Sequence, residues 1–95
     1  MRMRGRIDAN QPGIVKGLRQ AHCSVQSLAA VGDGCADLLV GRNGRNYVLE
    51  VKDPSKPPSA RALTPAQKDW HREWNGAVFI VETLEEALHV VEVIP

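Results

Sequence analysis

The sequence predicts an α/β domain in which a small mixed β-sheet of about four strands is flanked by helices. Three observations indicate this class: two strand-like runs around an Asn-Gly dipeptide, amphipathic helices that begin with polar caps and prolines, and a continuous apolar run near the end. The predicted element order is α-β-β-β-α-β-α. A chain of 95 residues fits a single domain, here residues 1–95.

The first helix is predicted over about residues 11–21. Apolar residues recur at helical spacing from Ile14 to Ala21, which indicates one buried face. Asn10 is suited to the N-cap and Pro12 to the first turn. A first strand is then expected over Val25–Val31, ending at a Gly-Asp-Gly turn.

The clearest prediction is a β-hairpin. Two strand-like runs, Ala36–Arg42 and Arg45–Lys52, flank the dipeptide Asn43-Gly44. Asn-Gly is the strongest short-range hairpin signal, because both central residues of the preferred turn need a positive φ. The register of the two strands then follows by counting outward from the turn.

The next segment, Asp53–Ala62, is predicted to be a mobile loop, since its three prolines and two serines disfavour regular pairing. A helix is expected to follow, ending at about Trp74. Thr64 is its predicted N-cap, Pro65 its first helical residue, and Gln67 the partner of Thr64 in a capping box.

The last elements are predicted from apolar spacing. Ala66, Trp70 and Trp74 recur at every fourth position, which predicts a buried stripe and favours a core role for both tryptophans over base stacking. The apolar run Ala77–Val81 is typical of a strand buried on both faces. Thr83 is expected to cap a final helix.

Composition and charge bear on location and partners. No apolar run approaches the roughly 20 residues of a membrane span, so we expect no membrane association. The basic segment 1–6 is not followed by an apolar stretch, so we expect no secretory signal and a cytoplasmic location. All 12 Lys and Arg lie in residues 1–72, whereas residues 73–95 carry five acids. This asymmetry favours a basic face for a polyanion such as a nucleic acid.

The cysteines and histidines do not form a zinc-binding pattern. Cys23 and Cys35 are not a CxxC pair, and His22, His71 and His89 are scattered without ligand spacing. We therefore expect two reduced, partly buried thiols rather than a disulfide or a metal site.

The hairpin register brings acidic and basic side chains together. It places Asp37 directly opposite Glu50, with Lys52 two residues further along on the same face. Opposed carboxylates repel each other, and a divalent cation such as Mg²⁺ would relieve the repulsion. Such an ion can bind a phosphodiester oxygen and activate water, while the lysine stabilises negative charge. The alternative is a surface Asp37 beside an exposed Glu50–Lys52 ion pair worth about 0–1 kcal/mol, and the residues alone leave both open.

The motif Asp37…Glu50-Val51-Lys52, in a hairpin with a helix on either side, resembles the PD-(D/E)xK nuclease superfamily. More narrowly, it resembles small VRR-NUC-like and Holliday-junction-resolvase-like members, including short phage or prophage proteins. The matching text covers nearly the whole chain, in Asp8–Gln11, Val31–Gly41, Leu49–Asp53 and Leu63–Gln67.

This resemblance implies a restriction-endonuclease-like fold and a DNA endonuclease that depends on Mg²⁺ or Mn²⁺. It implies that Asp37 and Glu50 bind the metal and that Lys52 serves the attacking water. It also implies that Gln67 borders the active site, although the capping box alone is an equal alternative for this residue.

The sequence departs from the family in its first helix. Gly13 stands where related proteins often carry a metal-binding Glu, and Asp8 or Gln11 is the candidate to replace that acid. A DNA-binding or assembly subunit with weak or absent catalysis is therefore the alternative function, and an unrelated interaction domain is a third.

Further expectations concern nucleic-acid contacts and assembly. Lys56, Arg61 and Lys68 are candidates for phosphate contacts. We expect a homodimer, because branched-DNA resolvases act in pairs and a small sheet has edges to protect. Selectivity for branched or flap DNA is expected on the same resemblance.

Overall fold

The computed structural model describes residues 7–94 and confirms the predicted order of elements, with one short helix added. The basic segment 1–6 lies outside the described residues. The elements are α1 (Gln11–Gln20), β1 (Ser24–Ser27), β2 (Leu38–Arg42), β3 (Arg45–Val51), α2 (Pro58–Arg61), α3 (Pro65–Glu73), β4 (Val78–Val81) and α4 (Leu84–Val93).

The four strands form one mixed sheet, as predicted, and they lie in it in the order β1-β2-β3-β4. The first three strands pair antiparallel, and β4 pairs parallel with β3. A parallel pair needs a crossover, which here is the segment that contains α2 and α3. The chain thereby returns to the edge of the sheet beside β3.

The turn between β2 and β3 has the predicted geometry. Asn43 has φ 51° and Gly44 has φ 78°, the left-handed values that a tight hairpin turn requires. The register follows from this turn, with Arg42 opposite Arg45 and Leu38 opposite Leu49. The hairpin prediction is therefore confirmed.

The hydrophobic core lies between one face of the sheet and the helices α1 and α4. Its buried side chains include Ile14, Leu18, Leu38, Val40, Leu49, Val51, Val81, Ala87, Val90 and Val91. Fully burying an aliphatic side chain of this size contributes roughly 1.5–3 kcal/mol. Because side chains alternate along a strand, the intervening residues of β3 project to the opposite face. We call that side of the sheet, which carries Val48, Glu50 and Lys52, the outer face.

Two predicted segments are wrong in their extent or structure. The strand expected over Val25–Val31 ends at Ser27, where the Ser27 hydroxyl accepts a hydrogen bond from the Ala29 amide at 3.2 Å and the chain turns. The expected loop Asp53–Ala62 contains α2, whose first residue is Pro58. Proline suits a first helical position, so the same residue that argues against pairing also starts this helix.

The predicted burial of α3 and β4 is also wrong. Of the described residues in α3, none is buried, Ala66 is exposed, and Trp74 is 47% exposed. In β4, Ile80 is 53% exposed, because this strand forms an edge and its outer face is open. The apolar spacing identified which residues share a face of each element. It did not show whether another part of the protein covers that face.

Two further observations concern the thiols and the membrane. Cys23 is buried and Cys35 is partly buried, and both are free thiols, as predicted. Within residues 7–94, the helices are too short and too polar for any of them to span a bilayer.

Candidate active site

Asp37 lies at the start of the hairpin, beside Glu50 on β3. Its amide donates to the Leu49 carbonyl at 3.1 Å, and its Oδ2 accepts a hydrogen bond from the Val51 amide at 2.6 Å. These two bonds fix the carboxyl against β3, where it interacts directly with the carboxyl of Glu50. The structure therefore brings the two predicted acids together at one end of the sheet.

Glu50 is the most enclosed charged side chain of this site, with only 1% of its surface exposed. Both of its carboxyl oxygens face α3. Oε1 lies 3.0 Å from Nε2 of His71, and Oε2 accepts a longer hydrogen bond of 3.4 Å from Nε2 of Gln67. The alternative of an exposed Glu50–Lys52 ion pair is thus wrong, because α3 covers this part of the outer face.

Lys52 is also buried, with 8% of its surface exposed. Its Nζ donates to Oε1 of Gln67 at 2.8 Å. Its backbone is held from two sides, since the Lys52 amide donates to the Val81 carbonyl at 2.9 Å and its carbonyl accepts from Nδ2 of Asn10 at 3.0 Å. The lysine therefore occupies a defined position next to Glu50.

Gln67 serves both of the roles that the sequence left open. It completes the capping box, because the Thr64 amide donates to its Oε1 at 3.0 Å and its own amide donates to the Thr64 hydroxyl at 3.2 Å. The same Oε1 accepts from Lys52, and its Nε2 donates to Glu50. A carbonyl oxygen has two lone pairs, so one side chain can satisfy the helix end and the lysine together.

A close backbone contact places α3 against the segment before Asp37. Gly34 has φ +82°, and a Cβ built on it would lie 2.3 Å from the Ala66 carbonyl oxygen. Only glycine fits both this conformation and this approach. The glycine thus allows the first turn of α3, which carries Gln67, to reach the active-site end of the sheet.

The carboxyl pair is electrostatically unfavourable when both acids are ionised. Burial, and then the neighbouring Glu50 carboxyl, raise the pKa of Asp37 to about 8, against the opposing hydrogen bond from the Val51 amide. Burial also raises the pKa of Glu50, while its hydrogen bond with Asp37 and the charge of Lys52 lower it. Two ionised acids therefore need a further positive charge beside them.

His71 is a site residue that the sequence reasoning missed. Burial, and then the charge of Lys52, lower the pKa of His71, which favours a neutral ring that can donate its Nε2 hydrogen to Glu50. A signal was present, since His71 follows Gln67 by four residues and such pairs share a helix face. Cys35 also lies nearby, and burial and the charges of Glu50 and Asp37 raise its pKa, so it stays a thiol.

The residues before and within α1 only partly meet the expectations. Asp8 pairs with Lys56, and it lies close enough to the site for its charge to raise the pKa values of both Asp37 and Glu50. Gln11 is buried, and its Oε1 has no hydrogen-bond partner among residues 7–94. Gly13 is exposed, and a Cβ there would meet no atom of the described chain within 4 Å.

Asn10 is the N-cap residue of α1, as predicted, but its side chain has another role. Asn10 stands at the N-cap position, but its backbone is helical and its side chain makes no capping hydrogen bond within the described part of the chain. Its Nδ2 instead donates to the carbonyls of Lys52 and Glu82, at 3.0 Å each. Asn10 therefore links the start of α1 to the ends of β3 and β4, and its hydrogen bond holds the backbone of Lys52 in place.

The three candidate phosphate contacts differ in their surroundings. Lys56 pairs with Asp8, and Arg61 contacts Glu82 at 3.2 Å. Lys68, on α3, is exposed and pairs with no carboxylate of residues 7–94. Lys68 is therefore the cation of the three that can meet a phosphate without leaving an ion pair.

The donor set fits a hard divalent cation that keeps much of its water. No group of three or more His, Cys, Asp and Glu side chains converges on a metal position in the described residues. Asp37 and Glu50 offer two carboxylates, which suits Mg²⁺, an ion usually held by one or two carboxylates plus waters and substrate phosphate. The buried like-charge pair is the feature that such an ion would neutralise.

Comparison with known proteins supports the fold. No family model matches the sequence, and no curated protein matches it either. A solved structure described as a VRR_NUC domain is similar to this chain, with a TM-score of 0.61 and 25% sequence identity. The match covers 90% of this chain and 92% of that one. The chain therefore has the restriction-endonuclease-like fold of VRR-NUC nuclease domains, as the motif predicts.

Proposed function

We propose that this protein is a divalent-metal-dependent endonuclease that hydrolyses phosphodiester bonds in DNA. The observation that carries the proposal is the convergence of Asp37, Glu50 and Lys52 at one end of the sheet, enclosed by Gln67 and His71 of α3. A nuclease fold with this set of side chains at its hairpin supports hydrolysis rather than binding alone.

Asp37 and Glu50 are the proposed ligands of Mg²⁺ or Mn²⁺, with Asp8 as a further acid on the same side. Their shared negative charge, which burial makes unfavourable, is the reason for placing a cation there. When bound, such an ion polarises a phosphoryl oxygen and lowers the pKa of a coordinated water.

The remaining residues of the site stabilise negative charge on the phosphate and orient the groups that do so. Lys52 presents its ammonium to negative charge that develops on the phosphate, and a preorganised donor of this kind is worth far more in an enclosed site than in water. Gln67 accepts a hydrogen bond from that ammonium and fixes its direction. His71 holds Oε1 of Glu50, which leaves this carboxyl in one orientation.

The charge of the crossover segment and the fold support proposals for the substrate and the assembly. Lys68 is the exposed cation nearest in sequence to Gln67, and Lys56 and Arg61 precede it on the same crossover segment. We propose that these residues contact DNA phosphates, that branched or flap DNA is preferred, and that the active species is a homodimer.

A second candidate function has one observation in its favour. Within the described residues no third carboxylate joins Asp37 and Glu50 in a metal-binding group, since Asp8 pairs with Lys56, and α1 carries Gly13 where the family resemblance implies a Glu. On this ground the alternative is a DNA-binding or assembly subunit that keeps the fold but cuts slowly or not at all.

Cleavage of a panel of labelled DNA substrates tests the proposal. Duplex, flap, fork and four-way junction DNA are incubated with the wild type and with Lys52→Ala, in Mg²⁺, in Mn²⁺ and in chelator. Metal-dependent cutting by the wild type, but not by Lys52→Ala, supports the enzyme proposal and excludes a contaminating nuclease as the source of the cutting. If no substrate is cut in either metal while DNA is still bound, the assembly alternative is correct.

A further inference from the structure

The two tryptophans of the chain form a stacked pair on the surface beside the candidate active site. The rings of Trp70 and Trp74 have centroids 5.0 Å apart and planes within 13° of parallel. Trp70 is half-buried, and Trp74 keeps 47% of its surface exposed. Trp74 therefore presents solvent-exposed indole surface next to its stack with Trp70.

The position of the Trp74 ring is fixed by its neighbours. Trp74 is the C-cap of α3, and its Nε1 lies where a Cβ on Gly76 would approach to 2.9 Å. Glycine at this position therefore lets the indole fold back over the chain that leaves the helix. The ring is thus in contact with Trp70 and close to the backbone at Gly76.

The stacked pair is continuous with the catalytic residues. Gln67, Trp70, His71 and Trp74 are spaced 0, 3, 4 and 7 along α3, which places them on one stripe of the helix. Trp70 meets the His71 ring edge-on, with centroids 5.6 Å apart, and His71 in turn lies 3.0 Å from Glu50. A strand that enters the site along α3 must pass this pair.

The charge of the same helix fits a nucleic acid. Lys68 is exposed and unpaired within the described chain, and Arg72 is held only by exposed contacts with Asp69 and Glu73. Exposed pairs of this kind are weak, so a phosphate can replace them. Successive helical residues are about 100° apart, so Lys68 and Arg72 project from a different side of α3 than Trp70 and Trp74. Base stacking on an exposed aromatic side chain is a way in which proteins bind unpaired nucleotides, because every base has a face that stacks.

We propose that the face of Trp74 turned away from Trp70 stacks a nucleobase from an unpaired segment of the DNA strand, extending the Trp70–Trp74 stack by a third ring. This proposal rests on the proposed nuclease function and specifies its substrate: a strand with unpaired nucleotides next to the phosphodiester that is cut. The bases of an intact duplex already stack on one another, so blunt duplex DNA gains little from this face.

Binding without metal tests the platform separately from cleavage. In chelator and at fixed salt, a labelled single strand and a blunt duplex of equal length are titrated by anisotropy. Because the chain has no other tryptophan, quenching of its intrinsic fluorescence reports directly on this pair. We expect quenching by the single strand and much less by the duplex.

Substitutions at Trp74 distinguish stacking from other roles. Trp74→Ala and Trp74→Leu should weaken single-strand binding by about 5- to 100-fold, and Trp74→Phe by less, while duplex binding stays unchanged. Val93→Ala, at another exposed apolar residue, is the matched control and should have no effect. If Trp74→Leu binds the single strand as tightly as the wild type, the ring face is not what binds and the proposal is wrong.

Three further outcomes are informative. If Trp74→Ala converts a dimer to a monomer in sedimentation, the face is an interface between copies and the stacking proposal is overturned. If the wild type cuts no DNA but binds single strands through Trp74, the platform stands and the nuclease proposal falls. If the wild type cuts DNA and Trp74→Ala keeps full single-strand affinity, the nuclease proposal stands and the stacking proposal falls.

Discussion

The substitution Asp37→Asn should raise the stability of the metal-free protein and abolish its response to metal. Asparagine keeps an oxygen that can accept the hydrogen bond from the Val51 amide, which is 2.6 Å long in the wild type. It removes the charge that burial and Glu50 make unfavourable. The change therefore separates the unfavourable electrostatic energy of the Asp37 carboxylate from the structural role of its hydrogen bond with Val51.

The metal-free effect depends on pH. Asp37 has an ordinary pKa of 3.8 in the unfolded chain and about 8 in the folded one. Between these values the folded protein keeps a proton that the unfolded chain releases, so its contribution to stability is full below pH 3.8 and is lost as the pH rises through 8. The slope is at most about 1.4 kcal/mol per pH unit. The asparagine variant should lack this slope, and the difference between the two proteins should grow with pH.

Added metal should favour the other protein, since it stabilises the wild type and has almost no effect on Asp37→Asn. A ligand that binds only the folded state at ten times its Kd stabilises that state by about 1.4 kcal/mol. For a domain of this size, such a gain raises Tm by about 6–11 °C. The wild type should show this rise with Mg²⁺ or Mn²⁺, more strongly at pH 8 than at pH 5, and Asp37→Asn should show almost none.

Differential scanning fluorimetry in chelator and in metal, from pH 5 to pH 8, makes the comparison. Glu85→Gln removes an exposed acid from the first turn of α4 and is the matched control, which should keep the metal response. The reasoning is refuted if Asp37→Asn gains as much Tm from metal as the wild type, or if it is less stable than the wild type in chelator at pH 8.

Three further predictions concern catalysis and the support of the site. Lys52→Ala should lower the rate of DNA cleavage by about 10²–10³-fold, while the metal-induced rise in Tm persists; loss of that rise would place the lysine in the metal site instead. Gly13→Glu should increase cleavage without loss of Tm, since a Cβ there meets nothing within 4 Å of the described chain and glycine is about 1 kcal/mol worse than alanine in a helix; unchanged cleavage would show that this acid is not what the site lacks. Thr64→Ala should cost about 1 kcal/mol through the lost cap and also slow cleavage through Gln67, whereas Thr64→Ser should restore both; a loss of stability without a loss of rate would separate the two roles.

The hairpin and the positions of the site acids could be predicted because their determinants are local. Asn43 and Gly44 force one type of turn, and that turn alone sets which residues of the two strands are opposite each other. Strand periodicity then assigns Glu50 and Lys52 to one face. No tertiary information was needed for any of these steps.

The burial of α3 and β4 could not be predicted in the same way. Ala66, Trp70 and Trp74 do form a stripe, but the stripe ends in solvent, and Ile80 on the outer face of β4 is exposed as well. Helical spacing reports which residues share a face, whereas the cover over that face is a property of the whole fold. The same limit hid His71, whose contact with Glu50 exists only after α3 has docked.

The position of α3 links the stability of the fold to the chemistry of the site. One amide, that of Gln67, closes the first turn of the helix, accepts from Lys52 and donates to Glu50. Any displacement of the helix start therefore disturbs the lysine and the glutamate together. Because none of the described residues of α3 is buried in the core, its docking depends on these polar contacts and on the close approach at Gly34. A half-buried amide that satisfies three partners at once holds a surface helix in one register, and that register is what keeps the ammonium of Lys52 directed at the site.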